Sequence, residues 1–120
     1  MKVFIISALL FALLLGAIAI NAYSVKRICD GLLEHTENIE LGGFSPQSVE
    51  ALEKYWGKHK LLIGFSASRT DSEYISKTIV SLRSACDSGA FSDAKRYLAL
   101  LDNAASDLSR REDISFENLF

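Results

Sequence analysis

The side chains that could perform acid–base or metal chemistry are few and widely spaced. The two histidines are His35, which follows Glu34, and His59. A zinc site needs three or four His, Cys or carboxylate ligands that converge from separate elements. Glu37 and Glu40 lie on the same segment as His35, and the one other imidazole, His59, falls on an apolar stripe. We therefore expect no metal site and no cofactor.

Nucleophilic and phosphate-binding motifs are also missing from the sequence. The many serines of the second half include no G-x-S-x-G motif, and no Gly-rich stretch has phosphate-loop spacing. The acidic group Glu112, Asp113 and Glu117 is expected to be solvated, since nothing marks a cleft around it. We predict that the protein is not an enzyme and has no catalytic residues. The alternative is a small ligand-binding or enzymatic helical domain with a pocket near Trp56 and His59.

The two cysteines, Cys29 and Cys86, are 57 positions apart. This spacing excludes a CxxC redox motif and a zinc ribbon. Two alternatives remain open at this point. The thiols could form a disulfide outside the cytoplasm, or they could be two small apolar side chains buried between helices.

The first element of the chain is an N-terminal stretch, residues 3–25, that contains no charged side chain. It is bounded by Lys2 on one side and by Lys26 and Arg27 on the other. A helix rises about 1.5 Å per residue and the hydrocarbon core of a bilayer is about 30 Å thick. Residues 1–25 are therefore predicted to be a membrane anchor, with the apolar residues 3–22 in the bilayer.

Cleavage of this segment as a secretory signal is the competing interpretation. Lys2 would supply its basic start, and Ala17 and Ala19 its cleavage site. The apolar run is longer than the 7–15 residues of a usual signal core, which favours an uncleaved anchor. The charges on the two sides are nearly balanced. Because a signal-like N-terminus normally stays cytoplasmic, we expect a single-pass protein of the cell membrane with residues 26–120 outside the cytoplasm.

The rest of the chain is long enough for one small domain. Lys2 is the only charged residue before position 26, so residues 26–120 carry 12 of the 13 basic residues and all 15 acidic residues, a net charge of −3. This balance, without a basic stripe, argues against nucleic acid as a partner.

Apolar residues recur at spacings of three and four beyond residue 25, which predicts an all-α fold. We expect the transmembrane helix to continue into a small antiparallel bundle with helices at about 26–41, 46–66, 71–88 and 92–110. Gly42 and Gly43 end the first helix, and Ser45 and Pro46 have the types preferred at the N-cap and first position of the second. The predicted core residues are Val25, Ile28, Cys29, Leu32, Thr36, Ile39, Val49, Leu52, Trp56, His59, Ile63, Ile75, Ile79, Leu82, Cys86, Ala94, Tyr97, Leu98, Leu101, Ala105 and Leu108.

The C-terminal residues 111–120 are predicted to form an apolar tail. Phe116, Leu119 and Phe120 are too apolar for a solvated end, so we expect them to fold back onto the bundle or to meet a partner. Together with Trp56 and His59, these three residues are the predicted structural or interaction residues.

The chain as a whole resembles a family known only as a domain of unknown function. The resemblance is carried by the span, Trp56, the turn before "FSDAKRYLALL" and the ending "REDISFENLF". Its members are short single-span helical membrane proteins of endospore-forming Gram-positive bacteria. The resemblance implies membrane attachment and helices, and it implies no activity. We expect a membrane-anchored, extracytoplasmic interaction or structural module whose partners are the bilayer and an unidentified membrane or extracytoplasmic protein.

Overall fold

The computed structural model describes the backbone of residues 1–119. It also describes their side chains, except those of Ser66, Ser115, Phe116, Asn118 and Leu119. Within this part of the chain there are four helices and no strand: α1 Lys2–Leu41, α2 Pro46–Ser66, α3 Arg69–Asp87 and α4 Phe91–Leu119. The predicted all-α class, with an apolar first helix that continues into a bundle, is confirmed.

The four helices form a ring in which each packs against two others. Helix α1 contacts α2 and α4, and α3 contacts the same two helices, whereas neither diagonal pair is in contact within residues 1–119. The connections, residues 42–45, 67–68 and 88–90, are short enough that consecutive helices run antiparallel. The architecture is therefore an up-down-up-down bundle.

The turn between α1 and α2 uses Gly43, Ser45 and Pro46 as predicted, whereas Gly42 has an ordinary φ of −83° and the second left-handed residue is Phe44. Gly43 and Phe44 adopt positive φ angles of 67° and 61°, and the Phe44 N–H donates to the Ile39 carbonyl at 2.9 Å. The Ser45 hydroxyl then accepts from the backbone N–H of the third helical residue at 3.3 Å, and Pro46 occupies the first helical position. These bonds satisfy backbone groups that both helix ends would otherwise leave without partners.

The last two helices differ from their predicted bounds. Helix α3 begins at Arg69 rather than 71, because Ser68 is the N-cap and its hydroxyl accepts from the Asp71 N–H at 3.2 Å. Helix α4 was predicted to end at 110 but continues through Leu119, so residues 111–119 are helical rather than a separate tail. This stretch contains neither Gly nor Pro to stop it, and Asp113 forms an ion pair with Lys26 of α1.

The core lies between the four helices and follows the predicted stripes closely. All six residues predicted on α1 are buried, and so are Trp56 and most of the residues predicted on the other helices. Three residues of the predicted core are only half-buried, namely His59, Cys86 and Tyr97. Each of them lies at the edge of an apolar stripe, where a side chain reaches both the core and solvent.

Helix α1 has two halves with different surroundings. It is 40 residues long, which corresponds to about 60 Å, and the molecule measures 68 × 22 × 22 Å. The first buried side chain is Ala22, and nearly all of the side chains before it are exposed. Among the described residues, α1 is the one helix long and apolar enough to cross a membrane, a property that signal sequences share.

Candidate functional site

Trp56, the first sequence-predicted site residue, is a core residue. Its side chain is only 4 % exposed, and its indole N–H donates to the Ser76 hydroxyl of α3 at 2.8 Å. The polar atom of the indole is therefore already bound within the protein. Trp56 joins α2 to α3 and does not present a free donor to a ligand.

His59 belongs to an aromatic cluster that sequence reasoning did not identify. The Tyr55 ring packs against His59 with ring centroids 4.6 Å apart and against His35 with centroids 4.8 Å apart. The Tyr55 hydroxyl donates to the Ile28 carbonyl of α1 at 3.1 Å. The cluster brings together the two histidines of the chain on the α1–α2 face, although they are 24 positions apart. The contact between Tyr55 and His59 could have been predicted from their spacing, because residues four apart on a helix are neighbours. The contact with His35 could not.

The aromatic cluster depends on Gly31. A Cβ atom at this position would overlap the Tyr55 hydroxyl and ring, so a larger residue at position 31 would force the Tyr55 side chain to move. Burial raises the pKa of Tyr55, so its hydroxyl stays protonated to higher pH than that of a solvated tyrosine. In the part of the chain that the structure describes, no group of three or more His, Cys, Asp or Glu residues is placed to hold a metal ion.

Both cysteines are free. Cys29 is fully buried on α1, while Cys86 is half-buried near the end of α3, a helix that does not contact α1. Burial raises the pKa of the Cys29 thiol to about 12, and the nearby Asp30 carboxylate contributes in the same direction. Since the thiolate is the nucleophile and the metal ligand, Cys29 is a packed apolar side chain rather than a reactive one.

A groove of about 690 Å³ lies between α1 and α4 at the end of the bundle far from the apolar half of α1. The Thr36 hydroxyl donates to the Leu33 carbonyl at 2.8 Å and lies 3.3 Å from a carboxylate oxygen of Asp102. The remaining lining residues are Glu37, Glu40, Phe44, Lys95, Leu98 and Ala99. We call this the distal groove. Its rim is acidic and its floor is apolar.

A second groove, of about 680 Å³, lies between α2 and α3 at the opposite end. Leu61 and Phe65 supply its apolar surface, and both side chains are largely exposed. Lys60, Arg69 and Lys77 also line it. We call this the proximal groove, because it lies at the end from which the apolar half of α1 emerges.

Ion pairs connect neighbouring helices around the ring. Arg83 of α3 lies 2.7 Å from Glu53 of α2, and this carboxylate raises the pKa of Arg83. Arg111 of α4 lies 2.8 Å from Asp71 of α3, and Lys26 pairs with Asp113. Exposed pairs of this kind contribute little to stability. They do show which residues of adjacent helices lie side by side.

The predicted tail residues Phe116, Leu119 and Phe120 lie outside the described side chains, so their predicted docking stays a prediction. The chain matches no family model, no curated protein and no solved structure. The resemblance to short single-span proteins of endospore-forming bacteria therefore also stays a prediction.

Proposed function

We propose that this protein is a single-span membrane anchor that carries a helical interaction module and performs no catalysis. The observation that supports the proposal is the continuity of α1. One helix without a break provides both an exposed apolar half and a full side of the bundle, from Ala22 to Ile39. The same element thus serves as the proposed span and as a core helix.

This continuity has a mechanical consequence. A flexible Gly- or Ser-rich linker would let a domain move tens of ångströms from its anchor. Here no linker separates the span from the bundle, because residues 2–41 are helical throughout. The bundle is held directly against the bilayer in one orientation, an arrangement that suits contact with a neighbour in or beside the same membrane.

The competing ligand-pocket function is less well supported by the contacts near Trp56. The indole N–H is bound to Ser76, and the Tyr55 hydroxyl is bound to the Ile28 carbonyl. A binding pocket needs polar groups that converge on a ligand, and these two are already engaged inside the protein. We therefore favour the interaction module.

Secretion after signal cleavage remains the second candidate because of where packing begins. The first buried side chain, Ala22, lies beyond the possible cleavage site at Ala19. Cleavage there would remove the exposed half of α1 and leave the bundle contacts intact. The two candidates differ in whether the mature protein stays in the membrane.

Protease protection in intact cells tests the proposed topology. We expect the protein to sediment with carbonate-washed membranes and residues 26–120 to be degraded by protease added outside the cytoplasmic membrane. Degradation only after lysis would contradict the extracytoplasmic placement, and release by carbonate would contradict the anchor.

Photo-crosslinking tests the interaction module. A photoreactive amino acid at Glu40 of the distal groove should give a discrete adduct with a partner protein in native membranes. The same group at Lys54, a largely exposed residue on the outer side of α2, is the matched control. If neither position gives an adduct, and no other exposed position of the bundle gives one either, a function in protein interaction would be contradicted.

A further inference from the structure

Large apolar side chains are exposed at the end of the bundle where the apolar half of α1 emerges. Phe65 is 89 % exposed, the highest fraction for a large apolar residue in the described part of the bundle, and Leu61 is 69 % exposed. Both belong to the last turns of α2. On α4, Ile114 is 51 % exposed. We call these three residues the basal apolar surface.

The height of Phe65 along the bundle follows from the packing of α2 on α1. Tyr55 lies beside Gly31 of the antiparallel helix α1. Both helices rise about 1.5 Å per residue. Phe65 lies ten residues after Tyr55 on α2, and Asn21 lies ten residues before Gly31 on α1. Phe65 therefore lies level with Asn21, inside the uncharged stretch of residues 3–25.

The height of Ile114 follows in the same way from the packing of α4. Asp113 forms its ion pair with Lys26 of the antiparallel helix α1. The next residue on α4, Ile114, is therefore level with Val25. Helices α2 and α4 do not contact each other within residues 1–119, so Ile114 and Phe65 lie on opposite sides of the bundle.

This height coincides with the expected boundary of the bilayer. About 20 helical residues cross a hydrocarbon core of about 30 Å, which places the boundary near residue 22 if residues 3–22 span it. Tyr23, 65 % exposed on α1, lies at the same height. Aromatic side chains are enriched at membrane–water interfaces. Tyr23 and Phe65 would together form an aromatic belt around the point where α1 enters the bilayer.

The charges at this end show what kind of lipid contact is possible. Three carboxylates near this level are in ion pairs, Asp113 with Lys26, Asp71 with Arg111, and Glu73 with Arg69, whereas Glu112 and Glu117 of α4 form no ion pair with the described side chains. The chain beyond residue 25 carries a net charge of −3. Attraction to anionic lipid is typical of clusters of about four to eight Lys or Arg residues, and the two lysines of the proximal groove that form no ion pair with the described side chains, Lys60 and Lys77, fall short of such a cluster. The contact must therefore depend on apolar insertion.

We propose that the basal apolar surface docks on the bilayer that α1 crosses, with Phe65 and Leu61 inserted among the lipid headgroups whatever the headgroup charge. The proposal rests on the membrane anchoring proposed above. A bilayer surrounds α1 and reaches opposite sides of the bundle at one height, whereas one protein partner seated on a single face does not. Docking would hold the bundle upright and leave the distal groove facing away from the membrane.

Fluorescence quenching by brominated lipids tests the docking in the full chain. The chain is reconstituted in phosphatidylcholine vesicles with bromines near either the headgroup or the chain end of the lipid. The test variant is Phe65→Trp. The matched control is Phe91→Trp, an exposed aromatic position at the start of α4 and thus at the far end of the bundle. Phe11→Trp reports on the middle of the proposed span, and the emission of native Trp56 is subtracted from that of each variant.

The expected result for the Phe65→Trp variant is loss of the added indole emission, greater with bromines near the headgroup than with bromines near the chain end. Added phosphatidylglycerol should not increase this quenching. The emission added by Phe91→Trp should not change with either lipid. The emission added by Phe11→Trp should be lost most with bromines near the chain end.

Other results would overturn the proposal in distinguishable ways. Quenching in the Phe11→Trp variant without quenching in the Phe65→Trp variant would refute docking and leave the anchor intact. Absence of quenching in the Phe11→Trp variant would refute the anchoring itself. Blue-shifted but unquenched emission from the Phe65→Trp variant would show that protein, such as a second copy of the chain, covers the surface. Quenching of that variant only with phosphatidylglycerol would refute independence from headgroup charge.

Discussion

Truncation of Trp56 to alanine should severely destabilise the bundle. The indole is 4 % exposed and links α2 to α3 through its bond to Ser76. Truncating a buried Trp to Ala costs about 3–5 kcal/mol, because contacts are lost and a cavity is left behind. For a domain of this size, each 1 kcal/mol lowers Tm by about 4–8 °C. Trp56→Ala should therefore lower Tm by at least about 12 °C, or prevent folding altogether.

The assay is thermal unfolding of the full chain in detergent micelles, followed by circular dichroism at the helical band. Trp56→Phe keeps most of the ring but loses the bond to Ser76, which contributes about 0.5–1.5 kcal/mol, so its Tm should fall less. Phe91→Ala, at a half-exposed aromatic, is the control and should change Tm little. An unchanged Tm for Trp56→Ala would refute the placement of Trp56 in the core and would favour a binding role for it.

Three further perturbations test separate parts of the structure. Gly31→Ala should destabilise the bundle in thermal unfolding, because the new methyl group overlaps Tyr55, whereas Gly57→Ala meets no atom within 4 Å and should stabilise α2 by about 0.5–1 kcal/mol. Cys29 should resist thiol-specific alkylation in the folded protein and react after denaturation, since burial raises its pKa to about 12. Glu112→Gln should raise Tm at pH 7 and not at pH 3. Burial raises the pKa of Glu112 in the folded state. Ionisation of Glu112 therefore opposes folding only at pH values above the pKa that this residue has in the unfolded chain, and at pH 3 it is protonated in both states.

Each of these expectations has an outcome that would contradict it. Equal effects of Gly31→Ala and Gly57→Ala would show that α1 and α2 are not in close contact at Tyr55. Rapid alkylation of Cys29 under native conditions would show that the core around Cys29 is open to solvent. A Tm increase for Glu112→Gln that is the same at pH 3 and pH 7 would show that the effect does not come from ionisation.

Local signals in the sequence were sufficient for most of the fold. The first turn could be predicted because Gly43, Ser45 and Pro46 each have a conformational preference that suits its place, although the left-handed conformation of Phe44 could not. The α1 stripe could be predicted because apolar residues recur on one face over more than four turns. Such preferences act within a few residues, so they do not require knowledge of the tertiary structure.

The parts that could not be predicted depend on contacts between distant residues. The extension of α4 to Leu119 includes Asp113, which meets Lys26 only in the folded bundle. The cluster of His35, Tyr55 and His59 likewise requires the register between α1 and α2, which places the Tyr55 ring over Gly31. The register itself is a tertiary property, and no pattern within either helix encodes it.

The central proposal is that the exposed half of α1 anchors the mature protein in a membrane. Intact-mass measurement of the protein from carbonate-washed native membranes tests it most directly. The proposal predicts a dominant species that retains residues 1–25, with a mass near the 13.2 kDa of the full chain. A dominant soluble species that begins near Ile20 or Tyr23 would contradict the anchor and identify the segment as a cleaved signal.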